Sequence, residues 1–215
     1  MKDIPFFTTE YGVASLMLRE IPYRKEAYIQ VQDVQPGQTE NLIRECMAFC
    51  RAAGAEKIYW SAGAVEGQLH ALIYEMRGTA QINREKIENL FPVTEQTVSH
   101  WRQIYNQRMA AVDNAATLTG ADEKRILESG GAYFIHRDGK LLGIGWLDGE
   151  KLLAIASVEP GAGETVLNTL LSIVEGASVT LEVASTNEKA IRLYEKFGFI
   201  KTREIRRWYQ EHESL

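Results

Sequence analysis

Residues 132–158, AYFIHRDGKLLGIGWLDGEKLLAIASV, constrain the fold of this chain more than any other stretch. Two Asp-Gly pairs, Asp138-Gly139 and Asp148-Gly149, interrupt apolar runs rich in β-branched and aromatic residues. Asp-Gly is a strong hairpin signal because two-residue turns need positive φ, which glycine adopts freely. The stretch therefore reads as a three-stranded antiparallel meander. A glycine cluster at 161–163 follows. Val166, Leu167, Leu170, Leu171 and Val174 then recur at helical spacing up to Gly176. Residues 178–184 alternate as a strand, 187–197 read as a helix stopped by Gly198, and 199–210 read as extended.

Upstream, Val98, Trp101, Tyr105, Arg108 and Val112 mark one helical stripe, and 121–128 read as a second short helix. The second half thus runs α, α, β, β, β, α, β, α, β. In the first half, 12–21 and 26–34 read as strands, with Pro22 to Lys25 as a hairpin connection. A helix follows over 40–53, with Thr39 as its N-cap and Gly54 ending it. The segments KIYWSA and LHALIYEMRG add two strands. The expected class is α/β (α+β): a mixed, mostly antiparallel sheet flanked by helices, with an additional N-terminal β-β-α-β-β subdomain. A break near 85–93 gives an N-terminal subdomain over 1–90 and a second domain over 91–215. Element order alone suggests that the first is a diverged partial copy of the second, since they share no motif.

Several function classes are excluded by charge and spacing. The 215 residues carry 24 basic and 29 acidic side chains, a net charge of −5. No basic block exists to neutralise a phosphate backbone, so nucleic acid is not the expected partner. The run Arg203 to Arg207 reads as the solvated face of an edge strand. No membrane partner is expected, because no apolar run reaches the ~18 residues a span needs. The opening MKDIPFFTTEYG lacks the apolar core of a signal peptide, so a cytoplasmic location is expected. Cys46 and Cys50, four apart on a helix, read as reduced thiols. Gly143-Ile144-Gly145 lies inside a strand and does not open a helix, so it is no dinucleotide fingerprint. The histidines His70, His100, His136 and His212 are scattered and form no ligand set.

Residues 181–199, LEVASTNEKAIRLYEKFGF, carry the functional signal. A strand leads to Asn187, then Ala190, then Leu193-Tyr194, and Gly198-Phe199 closes the helix. This closely resembles the C-terminal motif of the GNAT superfamily of N-acetyltransferases, and the element order over residues 90–215 matches such a domain. The LEV strand start is similar to that of the ribosomal-protein alanine acetyltransferases.

The resemblance implies direct transfer of an acetyl group from acetyl-CoA, as co-substrate, to a small-molecule or peptide amine acceptor. It implies Tyr194 as the general acid that protonates the leaving thiolate. The phenol is neutral at pH 7 and able to donate. Glu182, twelve residues before Tyr194, is the implied general base, on a partly covered strand face that would raise its pKa. Asn187 is implied at the pantetheine arm, and is also a favoured helix cap. Ala156, Ser157 and Val158 are implied to meet the acetyl and pantetheine groups through their backbone. The backbone at Gly163, Glu164, Thr165 and Val166 is implied to cradle the pyrophosphate at a helix N-terminus. That loop departs from the family pattern: Ala162 replaces a Gln or Arg, and Thr165 and Leu167 replace small residues. Glu164 adds a negative charge beside the expected anion. The alternative is a catalytically silent member, serving as an acyl-CoA-binding or protein-interaction module. Trp101, Tyr105 and Trp146 are candidates for the acceptor wall, though such stripes also suit a core. The sequence leaves a homodimer open.

Overall fold

The computed structural model describes residues 5–61, 67–79, 82–174, 176 and 178–211. His212 lies outside the described residues. Two compact units make up the chain: residues 1–73 with 205–215, and residues 74–204. The first division falls ahead of the 85–93 stretch where the sequence suggests a break.

In the first unit, strands β1 (Phe6–Thr8), β2 (Gly12–Met17) and β3 (Glu26–Val34) form an antiparallel ladder. Strand β4 (Lys57–Trp60) joins β3 in parallel, so helix α2 (Thr39–Ala52) must cross between them. The α2 stripe of Leu42, Ile43, Cys46, Met47 and Cys50 is buried against Ala14, Leu16, Ala27, Ile29, Ile58 and Trp60. Gly54, at φ 97°, ends α2, and Ala55 returns its amide to the Cys50 carbonyl, which closes a Schellman motif. Thr39 is the first helical residue and not the cap; that place is taken by Gln38. Residues 21–24 do not form a simple hairpin turn. They make the helical turn α1 (Ile21–Arg24), which Pro22 favours near its start and Lys25 ends in the left-handed region.

Strand β11 (Ile200–Gln210) pairs antiparallel to β4 through Tyr209 and Trp60, and its other neighbour is β5 (Gln68–Gly78). It is therefore not an edge strand, which corrects the reading of Arg203 to Arg207. Its charges are accommodated by partners: Arg206 lies 5.2 Å over Trp208, and Arg203 meets Glu75 at 2.9 Å. Trp208, Tyr28 and Tyr59 form an aromatic cluster, with the Tyr28 ring centroid 5.0 Å from each of the other two.

In the second unit, β7 (Ala132–Arg137), β8 (Lys140–Asp148) and β9 (Lys151–Ser157) form the expected meander. Asp138 and Gly139 take φ of 50° and 76°, which suits the tight turn between Arg137 and Lys140. The second turn lies one residue later than the sequence reading, because Asp148 pairs with Lys151 and leaves Gly149-Glu150 as the loop. Strand β6 (Asn89–Pro92) covers the outer edge of β7. Helices α3 (Val98–Met109) and α4 (Gly120–Ser129) precede the meander. Helix α5 (Gly163–Leu171), strand β10 (Val179–Ala184) and helix α6 (Glu188–Lys196) follow it. The strand order is β5-β10-β9-β8-β7-β6.

Two cores form. One packs Leu152, Leu167, Leu170, Leu171, Leu181, Val183, Ile191, Tyr194 and Phe199 together. The other gathers Trp101, Tyr105, Ile126, Phe134, Trp146, Ala154 and Ala156.

Candidate functional site

The site begins where two parallel strands part. Strands β9 and β10 pair only at Thr180 with Lys151 and Leu181 with Leu152. Beyond that point β9 continues to Ser157 and β10 to Ala184 without pairing to each other. The other edge of β9 stays on β8 through Ser157, which pairs with Gly143. An open strand edge of this kind presents backbone donors and acceptors to a ligand. Ala156 is buried and Ser157 half-buried beside the opening. Val158 does not remain available: its amide donates to the Leu142 carbonyl at 2.7 Å, and its own carbonyl accepts from Arg108 at 2.6 Å.

Helix α5 starts at the end of the loop that follows β9. Gly161 supplies the turn at φ 79°, and Ala162 occupies the cap position without a side-chain cap. The amides of Gly163, Glu164 and Thr165 therefore head the helix with its positive dipole end. Val166 is not among these donors: its amide bonds the Ala162 carbonyl at 2.9 Å and its side chain is fully buried. The negative charge of Glu164 is held by Lys196 of α6 at 2.5 Å. A cleft of about 300 Å³ opens beside this head, lined by Asn83, Lys86, Thr165 and Lys196 among others.

Tyr194 is buried in the core beneath β10, with Phe199 at 5.9 Å between ring centroids. Burial pushes its phenol up from the usual 10.0, and the Tyr105 phenol of α3 adds to that push. Asn187 caps α6, its side-chain oxygen accepting from the Ala190 amide at 3.2 Å.

Glu182 stands apart from this group. Alternation along β10 sends Val179, Leu181 and Val183 into the core that holds Tyr194, and Glu182 to the opposite face. There its side chain is 48% exposed and paired with Lys151 at 2.6 Å. The covered face expected for a carboxylate base is not what the fold provides. Trp101, Tyr105 and Trp146 are core residues, at 0%, 9% and 4% exposure.

Three basic residues at the site were not singled out as such by sequence reasoning: Arg108, Lys196 and Lys86. The helical stripe includes Arg108 without giving it a role, and Lys196 sits inside the motif without one. Lys86 lies far from the loop in sequence, and no local signal marks it.

A sheet with this order, a parallel pair that parts midway, and helices α5 and α6 beside the parting define a GNAT-like fold. Among solved structures, the chain is similar to an acetyltransferase of the GNAT family from Colwellia psychrerythraea, with a TM-score of 0.52 and 12% identity over 96% of this chain and 84% of that one. It is equally similar to a tandem GNAT protein from the clavulanic acid biosynthesis pathway, with a TM-score of 0.52 and 12% identity over 95% and 80%. A conserved protein of unknown function from Staphylococcus epidermidis matches at a TM-score of 0.56 and 11% identity, over 98% and 94%. No protein-family model and no curated protein matches the sequence.

Proposed function

We propose that the protein is an N-acetyltransferase that moves an acetyl group from acetyl-CoA to a small-molecule or peptide amine. The carrying observation is the parting of β9 and β10 after Leu152 and Leu181, beside the core in which Tyr194 is buried. Acetyl-CoA supplies the activated thioester when bound. The residues present suit it: the unpaired edge of β9 beyond Leu152 offers backbone groups to an extended amide-bearing arm. The amides at Gly163, Glu164 and Thr165 suit phosphate oxygens. Lys196 brings a cation to the loop where Ala162 supplies none. Its pairing with Glu164 removes the charge conflict that the sequence presents.

Tyr194 holds the proton for the departing thiolate. Its depth keeps the phenol protonated, and a protonated phenol is the form that donates. Glu182 takes no part in this proposal, because it lies on the other face of β10 and is bound to Lys151. The acceptor amine then loses its proton to solvent or to a water at the opening. Two neighbours named as GNAT proteins, one of them tandem, support both the reading and a GNAT-like origin for the first unit.

The test has two stages. Acetyl-CoA and CoA, titrated while the melting temperature is followed, should stabilise the protein by ~2.7 kcal/mol at about 100 times the dissociation constant. Free-thiol release should then appear with a panel of polyamines, amino acids, aminoglycosides and peptides. Stabilisation without release from any amine would instead favour the silent acyl-CoA-binding module. No stabilisation at millimolar ligand would refute both.

A further inference from the structure

The cleft beside the head of α5 has a chemistry that the loop alone does not explain. Helix α5 is buried on every side from Val166 to Leu171, so an all-apolar surface would serve it. It carries instead two buried polar residues, Asn168 and Thr169, at 3% and 0% exposure. Burying such groups is costly unless they are bonded. Both are bonded to one segment. The Asn168 oxygen accepts the Asn83 amide at 2.7 Å, and its NH₂ donates to the carbonyls of Asn83 and Lys86 at 2.9 and 3.0 Å. The Thr169 hydroxyl oxygen accepts the Glu88 amide at 3.1 Å. Residues 83–88 are thereby fastened across α5 on both sides of Lys86.

That fastening sets Lys86 in the lining of the cleft that also holds Lys196. Lys86 has no ion pair among the described residues, and Glu164 is the single carboxylate in the lining, already paired with Lys196. The lining is thus cationic, with the Asn83 side chain and the Thr165 hydroxyl as further polar groups. Glu164 and Thr165 belong both to the helix head and to the cleft. A phosphate chain held on the head amides would therefore have this cleft beside it.

We infer that this cleft takes the nucleotide end of the acyl carrier, and that Lys86 together with Lys196 reads its ribose 3′-phosphate. The inference rests on the acyl-CoA reading above and adds what that reading lacks: a device that separates CoA from its dephosphorylated form. A 3′-phosphate is a compact dianion, which two ammonium groups complement as point charges.

Calorimetric titration of CoA and of dephospho-CoA into the intact protein tests it without recourse to activity. The wild type should bind CoA about tenfold more tightly, the scale of one charged hydrogen-bonded contact. Lys86→Gln, a change at an exposed side chain, should bring the two ligands close together by weakening CoA alone. Glu164→Gln should widen the gap, since it releases Lys196. Adenosine 3′,5′-bisphosphate should compete with CoA. Equal binding of both ligands by the wild type would overturn the inference and leave the acyl-CoA reading standing. So would an unchanged gap in Lys86→Gln, or a bisphosphate that binds without displacing CoA. Failure of every CoA form to bind would instead overturn the acyl-CoA reading, and this inference with it.

Discussion

The proposed transfer turns on a single buried phenol. Tyr194 has its pKa pushed above 10.0 by burial, so its proton stays in place throughout the neutral range. Tyr194→Phe keeps the packing and removes the donor. Turnover should fall by about 10²-fold or more while the stabilisation by acetyl-CoA is kept. The wild-type rate should show no downturn assignable to this group below pH 10. Glu182→Gln should behave otherwise. An exposed ion pair is worth ~0–1 kcal/mol, and the substitution should leave turnover within about threefold. A hundredfold loss measured in that variant would reinstate Glu182 as the base. The motif made the cap of α6 at Asn187 and its end before Gly198 legible from sequence, because cap, spacing and terminal glycine are local. It could not show that Glu182 lies exposed and paired with Lys151. Alternation assigns a strand residue to a face, but what covers that face comes from elements distant in sequence.

Helix α5 sits closely on β8 because two glycines leave room for it. A Cβ added at Gly145 would lie 2.4 Å from a Leu170 methyl carbon, and one at Gly143 would lie 2.7 Å from Val166. Gly145→Ala should cost about 1–3 kcal/mol through overpacking, read as a lower denaturant midpoint with the slope unchanged. On the opposite side of the helix, Asn168→Ala would strip three backbone groups of partners. It should cost about 1–3 kcal/mol and open residues 83–88 to proteolysis. At this scale the sequence was informative where elements are long. The meander, α2, α3, α5, α6 and β11 all announce themselves by period and by turn residues. Strands β1 and β6 span three and four residues, too few to show a period, and they exist through pairing with β2 and β7. Gly143 and Gly145 lie inside β8, as the strand pattern predicts, but their use as a seat for α5 needs the packed sheet to be seen.

The molecule as a whole carries buried acids in both units, and their sign gives its alkaline behaviour. In the first unit, burial pushes the Cys46 thiol up to about 12 and the Cys50 thiol to about 11, from an ordinary 9.0. Tyr28 there and Tyr194 in the second unit are also pushed upward from 10.0. A raised acid contributes its full stability below the unfolded value and loses it as pH climbs toward the folded one. Stability should therefore hold to about pH 9 and then fall steadily toward pH 12. Urea midpoints at pH 8, 9.5 and 10.5 would show it. The early part of that fall belongs to the thiols, so a Cys46→Ala, Cys50→Ala protein should lose little between pH 8 and 9.5. Neither the division of the chain at 73 and 204 nor the insertion of β11 between β4 and β5 was legible. Pairings between residues so far apart leave no local trace.

That insertion has a consequence for the order in which the protein can be made. A ribosome releases residues 5–61 early and the whole of the second unit after them. Only then does it deliver Trp208 to the waiting Tyr28 and Tyr59, and Tyr209 to Trp60. The nascent chain carries an unfinished first unit, with one side of β4 unpaired, through most of its synthesis. A message truncated after the codon for Glu204 should thus yield an intact second unit beside an aggregating first one, and the growing chain should depend on chaperone cover until its last strand emerges.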